Sequence, residues 1–340
     1  MIITQTPLRM SFAGGGSDLP AYYRRFGGAV VSTAIDKYIY VNVNKKFDDW
    51  IRLSYSRTEE VQQVSEIEHP VVRASLTKLG IRGGLEITSI ADIPSRGTGL
   101  GSSSSFTAGL LLALHAYHSR YISPGDLANE SCQVEIDLCG ERIGKQDQYA
   151  AAHGGFNFIR FLPDESVVVE PILCCAQDLV RLQNSLITFY TGQTRSASSI
   201  LTEQSQQAES SPVTQQLLHR MVDLAHDLRA ELNQGNVDAL GEILDEGWRL
   251  KREVHPGVSS SVIDDWYTAA KKAGAVGGKL LGAGGGGFLT FFAPPERHPA
   301  IERAVQLRRI DICLEPSGSR VLLYHKPLPR NAQSQAAASR

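Results

Sequence analysis

GLEITSIADIPSRGTGLGSSSSFTAGLLLALHAY, residues 84–117, is the stretch whose reading decides the fold. Its centre, GTGLGSSSSF from Gly97 to Phe106, carries three glycines and four serines. Upstream, Leu85, Ile87 and Ile90 with Thr and Ser between them predict a strand ending at Pro94. Downstream, Phe106, Leu110, Leu111 and Leu114 recur at helical spacing, which places the serines at the N-cap and first turn of a helix. Glycines let a backbone approach a ligand with its amides turned outward, and the free N–H groups of a first helical turn carry partial positive charge, so an anion belongs there. A flexible Ser/Gly linker has the same composition but not these flanks. A Walker loop is excluded, because no GxxxxGK[ST] occurs, and a Rossmann fingerprint is excluded, because Ser104 stands where the third glycine of GxGxxG belongs.

The rest of the composition narrows the partner. At 340 residues the chain exceeds what one core usually organises, so two domains are expected. Its 34 basic and 36 acidic residues nearly cancel, which argues against a nucleic-acid surface and for small-molecule substrates. The five cysteines, at 132, 139, 174, 175 and 313, form no CxxC and sit among apolar neighbours, so buried thiols in a reducing compartment are expected rather than disulfides or a zinc site. No apolar run approaches the ~20 residues of a membrane span, and the N-terminus has no basic region before a hydrophobic core. A cytoplasmic protein without a membrane partner is expected; a homodimer stays open.

MIITQ, AVVSTAI, KYIYVNVNK, IRLSY and LEITSI read as strands, and VRASLTKLG as a helix. From about Ser196 the pattern turns helical, with Leu217, Leu218, Met221, Leu224, Ala225 and Leu228 on one face after a start at Ser210, Ser211 and Pro212. LGEILDEGWRLKREV and SSSVIDDWYTAAKKAG predict two more helices, and GGFLTFFAP a strand. NAQSQAAASR, residues 331–340, has no apolar pattern and reads as a disordered tail.

Three further stations carry chemistry. KLLGAGGGGFLTFF contains a formal GxGxxG from Gly282 to Gly287, the one feature favouring a dehydrogenase; a strand rather than a helix follows it, so a loop allowing close backbone approach is the better reading. TPLRMSFAGGGSDLP sets Arg9 near Gly14, Gly15, Gly16 and Asp18, an arginine fork and a carboxylate suited to a polyol or phosphorylated ligand. VEIDLCGERIGKQDQYAAAHGG holds Glu135, Asp137, Glu141, Lys145 and Asp147, enough carboxylates for magnesium-dependent phosphoryl transfer.

Taken together, PSRGTGLGSSSSF, KLLGAGGGGF and TPLRMSFAGGGSDL resemble the three signatures of the GHMP kinase family, which includes galactokinase, homoserine kinase, mevalonate kinase and phosphomevalonate kinase. Within it, GGAVVSTAIDKYIYV, GERIGKQDQYAAAHGG and YTGQTRSAS look most like bacterial D-glycero-D-manno-heptose 7-phosphate kinases. The resemblance implies an α+β fold of two domains: an N-terminal ribosomal-protein-S5-like βαβ domain, residues 1–175, and a C-terminal α+β domain, residues 176–330, with ATP between them. It implies that Gly97, Gly99, Gly101, Ser102, Ser103 and Ser104 hold the ATP phosphates. Ser103 and Glu135 would hold Mg²⁺, with Glu141 a rival for the second position.

Asp147 matches the family's catalytic aspartate and Arg9 its supporting basic residue. Asp18 matches a sugar-binding carboxylate, with Gly15, Gly16, Gly284 and Gly285 beside the substrate. Arg195 is the leading candidate for the substrate's own phosphate, ahead of Arg142 and Lys145, with Lys37 nearer the sugar. The implied reaction is transfer of the ATP γ-phosphoryl group to the anomeric hydroxyl of heptose 7-phosphate, giving the 1,7-bisphosphate used for capsule, lipopolysaccharide or surface glycan. A fucose- or galactose-type kinase, or a catalytically silent ligand sensor on the same fold, are the alternatives.

Overall fold

The strand, glycine loop and helix expected around residue 100 are present in a computed structural model, which describes residues 1–94, 97–193 and 197–325. Arg195 and the 331–340 tail lie outside the described residues. The strands are β1 (Ile2–Ala13), β2 (Gly28–Lys45), β3 (Ile51–Ser54), β4 (Thr58–Val61), β5 (Leu85–Ala91), β6 (Phe156–Phe161), β7 (Val167–Pro171), β8 (Leu186–Tyr190), β9 (Gly277–Leu280), β10 (Phe288–Phe292), β11 (Arg308–Ile310) and β12 (Arg320–Tyr324). The helices are α1 (Pro20–Phe26), α2 (Pro70–Lys78), α3 (Ser102–Tyr117), α4 (Pro124–Cys132), α5 (Gln146–His153), α6 (Ala176–Ser185), α7 (Ala197–Ser210), α8 (Pro212–Asn233), α9 (Ala239–Val254), α10 (Ser261–Lys272) and α11 (His298–Val305).

Two sheets organise these elements into an α+β fold. The larger runs β12-β1-β2-β5-β3-β4, with β6 pairing the first half of β2 and β7 pairing β6; β3 and β5 are its parallel pair. The smaller is antiparallel, in the order β11-β8-β10-β9. The chain passes from one sheet to the other after Pro171 and returns at its end, because β12 pairs antiparallel with the start of β1, Ile2 opposite Tyr324. Residues 320–324 therefore join the first sheet rather than the second.

Several local expectations are corrected. AVVSTAI and KYIYVNVNK are one strand, β2, continuous through Asp36. TPLRMSFA continues the strand begun by MIITQ, so Arg9 projects from the middle of β1, opposite Ala34. Ile90 breaks the alternation of β5: Leu85 and Ile87 are fully buried, while Ile90 is 64% exposed on the other face. Cys175 and Cys313 are exposed rather than buried, and Cys175 caps α6 by accepting the amide of Asp178.

Helix α3 supplies the contact that places the glycine loop. Leu110, Leu111 and Leu114 are fully buried in the core beneath β1 and β2, where truncating one leucine costs about 2–5 kcal/mol. The predicted serine N-cap is not found. The cap is Gly101, in the left-handed conformation and without a side-chain cap, so the serines begin the helix and their hydroxyls are spent elsewhere.

Candidate active site

A cavity of about 690 Å³ opens between the two sheets, within the size range of small-molecule sites. Gly97, Gly99, Gly101, Ser102, Ser103 and Ser104 all line it, and their loop is fastened from both sides. On one side, the amide of Arg9 donates to Leu100 O at 3.0 Å and its Nη1 to Gly99 O at 2.5 Å. On the other side the second glycine cluster presses against it. A Cβ on Gly99 would lie 2.2 Å from Leu281 O, and one on Gly282 would lie 2.2 Å from Gly99 Cα. No side chain fits at either position.

That packing corrects the expectation for Gly284 and Gly285. Neither lines the cavity; Gly284 lies against Val258, and the amide of Gly285 donates to Val258 O at 2.9 Å. Gly282 and Ala283 face the cavity in their place. The cluster is glycine-rich chiefly because two backbones meet there.

Arg9 and Asp147 form the centre. Arg9 Nε donates to Asp147 Oδ1 and Nη2 to Oδ2, both at 2.8 Å, a bidentate pair. Asp147 reaches this position from the first turn of α5, and Arg9 from β1. Asp18 is buried nearby, accepting the amides of Gly16 at 3.1 Å and Gln146 at 3.2 Å. Burial, then the charge of Asp147, pushes its carboxyl above the usual range, and the amide bonds offset this in part. Gly15 and Gly16 line the same end of the cavity.

Glu135 lies in a π-helical turn, Gln133–Leu138, that follows α4; such turns recur at functional sites. It is fully buried and accepts Ser103 Oγ at 2.9 Å, Ser104 Oγ at 2.8 Å and Gln148 Nε2 at 2.6 Å. Burial raises its carboxyl, and the two hydroxyls and the amide pull it back. Glu141 is exposed and lines the cavity, with its amide donated to Glu135 O at 3.0 Å.

Among the described cations offered for substrate, none keeps that role by position. Lys37 is outside the cavity and pairs with Asp36 at 2.9 Å. Lys145 pairs with Glu165 at 2.5 Å and lies over the Tyr23 ring, and Arg142 is exposed away from the cavity lining. Two cations that sequence reasoning missed do line it: Lys251 of α9 and Lys279 of β9, 8% and 5% exposed. Lys251 had a readable signal, since it occupies the stripe of α9 otherwise filled by Leu240, Leu244, Trp248 and Val254.

The family models for the GHMP kinases N terminal domain and the GHMP kinases C terminal match residues 60–155 and 228–309. The chain belongs to the GHMP kinase family. It is therefore an ATP-dependent phosphotransferase. A D-glycero-alpha-D-manno-heptose 7-phosphate kinase of Campylobacter jejuni is 29% identical over 90% of this chain and 93% of its own length. A bifunctional fucokinase/GDP-fucose pyrophosphorylase of Arabidopsis thaliana is 28% identical over 90% of this chain but only 30% of its own length. Among solved structures, a D-glycero-D-manno-heptose 1-phosphate kinase from Bacteroides thetaiotaomicron superposes with a TM-score of 0.79, at 24% identity, over 96% of this chain and 100% of the other. At that identity the superposition establishes the fold alone. Among the described residues no helix is long and apolar enough to cross a membrane.

Proposed function

We propose that this kinase phosphorylates the anomeric hydroxyl of D-glycero-D-manno-heptose 7-phosphate, using Mg²⁺, in the cytoplasm. The observation that carries the reading is the Arg9–Asp147 pair held against the phosphate loop, in a chain similar over nearly its whole length to a heptose 7-phosphate kinase. Asp147 accepts the hydrogen bond of the attacking hydroxyl and orients it, while Arg9 keeps the carboxylate aimed and places positive charge beside the transferred group. The anomeric oxygen forms a bond to the γ-phosphorus as the bond to the bridging oxygen breaks. Its electrons leave with ADP, and the hydroxyl proton passes late to Asp147. In a loose transition state positioning and charge neutralisation carry the rate, and a strong base is not required.

The donor set fits a magnesium ion. Ser103 and Glu135 face one another, and Gln148 Oε1 is buried beside them without a hydrogen-bond partner among the described residues. One carboxylate with a hydroxyl and substrate phosphates is the ligand set this ion commonly takes. Ser103 and Glu135 would hold it, and it would neutralise phosphate charge. Asp18, with Gly15 and Gly16, would hold sugar hydroxyls.

A second reading, a kinase for a 6-deoxy sugar, is favoured by one observation. Leu19, Leu218, Met221 and Val254 give the cavity an apolar wall that suits a methyl group, and the fucokinase relative spans most of this chain. ³¹P NMR of the products separates the two. A new anomeric phosphate signal from heptose 7-phosphate with ATP and Mg²⁺ supports the first; a signal from fucose alone replaces it with the second.

A further inference from the structure

Lys251 and Lys279 are buried in the cavity wall, and each donates to a backbone carbonyl: Lys251 to Gly282 O, and Lys279 to Phe12 O at 3.0 Å. Among the described residues neither forms an ion pair, and the charge of neighbouring Arg9 is already matched by Asp147. A buried ammonium without a counter-charge is costly unless an anion meets it or it sheds its proton. The position of the two groups indicates which anion. Lys251 reaches the glycine that packs on Gly99 of the phosphate loop, and Lys279 reaches β1 three residues beyond Arg9. They face the cavity from the C-terminal half, whereas the loop and Arg9 come from the N-terminal half.

We infer that Lys251 and Lys279 form a phosphate seat, whose ammonium groups meet the oxygens of a phosphoryl group bound between the two halves and complete the cradle that the glycine loop begins. The inference rests on the kinase reading but not on the identity of the sugar. Burial, then the charge of Arg9, holds Lys251 down to about 8, with Asp18 and Asp147 opposing; burial, then Lys251 and Arg9, holds Lys279 well below its ordinary range. A phosphate dianion reverses both effects, so its binding should draw protons onto the pair. The γ-phosphate of ATP and a phosphate carried by the acceptor offer the same chemistry.

Calorimetry at pH 8 in buffers of differing ionisation enthalpy counts those protons. The probes for the full chain are a non-hydrolysable ATP analogue with Mg²⁺, ADP with Mg²⁺, and heptose 7-phosphate. Uptake of about half a proton or more with the analogue but not with ADP assigns the seat to the γ-phosphoryl group. Uptake with heptose 7-phosphate alone assigns it to the acceptor's phosphate. Lys251→Met should weaken the same probe by about tenfold or more. Lys251→Arg, whose charge does not titrate, should keep most of the affinity and lose its share of the uptake. Absence of proton uptake with every probe, or unchanged affinity in both Lys251→Met and Lys279→Met, overturns the seat. Heptose 7-phosphate that shows no binding heat at all while the analogue responds counts against the sugar reading and leaves the seat standing.

Discussion

Both carboxylate oxygens of Asp147 are held by the guanidinium of Arg9, at 2.8 Å each, while a third guanidinium nitrogen holds Gly99 O. The residue proposed to orient the acceptor and the loop proposed to hold the ATP phosphates are thus fixed by one side chain. Under the proposed mechanism this sets the attack geometry before substrate arrives, which suits a reaction whose rate depends on placement.

Asp147→Asn removes the proposed proton acceptor and one of the two bonds that Arg9 makes to this residue, while the bond from Arg9 to Gly99 O stays available to hold the loop. Turnover should fall at least ~100-fold with ATP affinity nearly unchanged. Steady-state kinetics with a separate nucleotide-binding titration test this, and near-normal turnover would remove Asp147 from the role.

Glu135→Gln sets an amide donor against one of three donors, from Ser103, Ser104 and Gln148. A loss of about 1–3 kcal/mol of stability is expected, together with a raised Mg²⁺ requirement. Denaturant unfolding and a Mg²⁺ titration of activity are the measurements. An unchanged Mg²⁺ requirement would favour Glu141, which Glu141→Gln then tests.

Asp18 gives a pH signature. Its folded carboxyl lies above its unfolded value of 3.8, so the folded state binds the proton more tightly. The contribution is fully present below pH 3.8 and is lost as pH rises through the folded value. Asp18→Asn does not titrate, so its melting temperature relative to wild type should climb as pH rises from about 4 to 7. A difference that stays flat across that range would contradict the burial argument.

The two glycine loops give a steric contrast. Gly99→Ala and Gly282→Ala each force a Cβ to within 2.2 Å of backbone, whereas Gly80, also at positive φ, has nothing within 4 Å. Gly80→Ala should cost only the left-handed penalty, about 1–2 kcal/mol. The other two should cost more and should also weaken ATP binding. Equal unfolding losses for all three would show that the loops can part without cost.

Much of the candidate site is legible in the chain itself. The strand, glycine loop and helix showed in glycines and serines between an apolar alternation and a helical stripe, and those periods report directly on local backbone geometry. Arg9, Asp18, Glu135 and Asp147 were found by residue type and by resemblance. Arg9, Asp18 and Asp147 line the cavity, and Glu135 lies behind its wall bonded to Ser103 and Ser104, although Arg9 and Asp18 stand more than 100 positions from Glu135 and Asp147 in the chain.

Local pattern misled where the deciding contact was distant. Glycine repeats between Gly282 and Gly287 read as a ligand loop, yet their need for glycine comes from Gly99, Thr98 and Val258 pressing on the backbone. Lys37 and Lys145 read as candidate cations for the substrate, and Asp36 and Glu165 pair with them instead.

The sequence by itself determined the local units: most of the strands and helices, the glycine loop between β5 and α3, and the family to which those motifs belong. Local backbone preferences and apolar periods suffice for the elements, and the motifs for the family. Only the tertiary structure decided that β12 returns to the first sheet, that two glycine loops interlock, and that Lys251 and Lys279 face the cavity without a counter-charge among the described residues. The return of β12 and the meeting of the two glycine loops each depend on contact between residues more than 150 positions apart, and Lys251 and Lys279 reach the cavity only because α9 and β9 pack against the N-terminal half; no local period in a chain encodes which distant surface will be its neighbour.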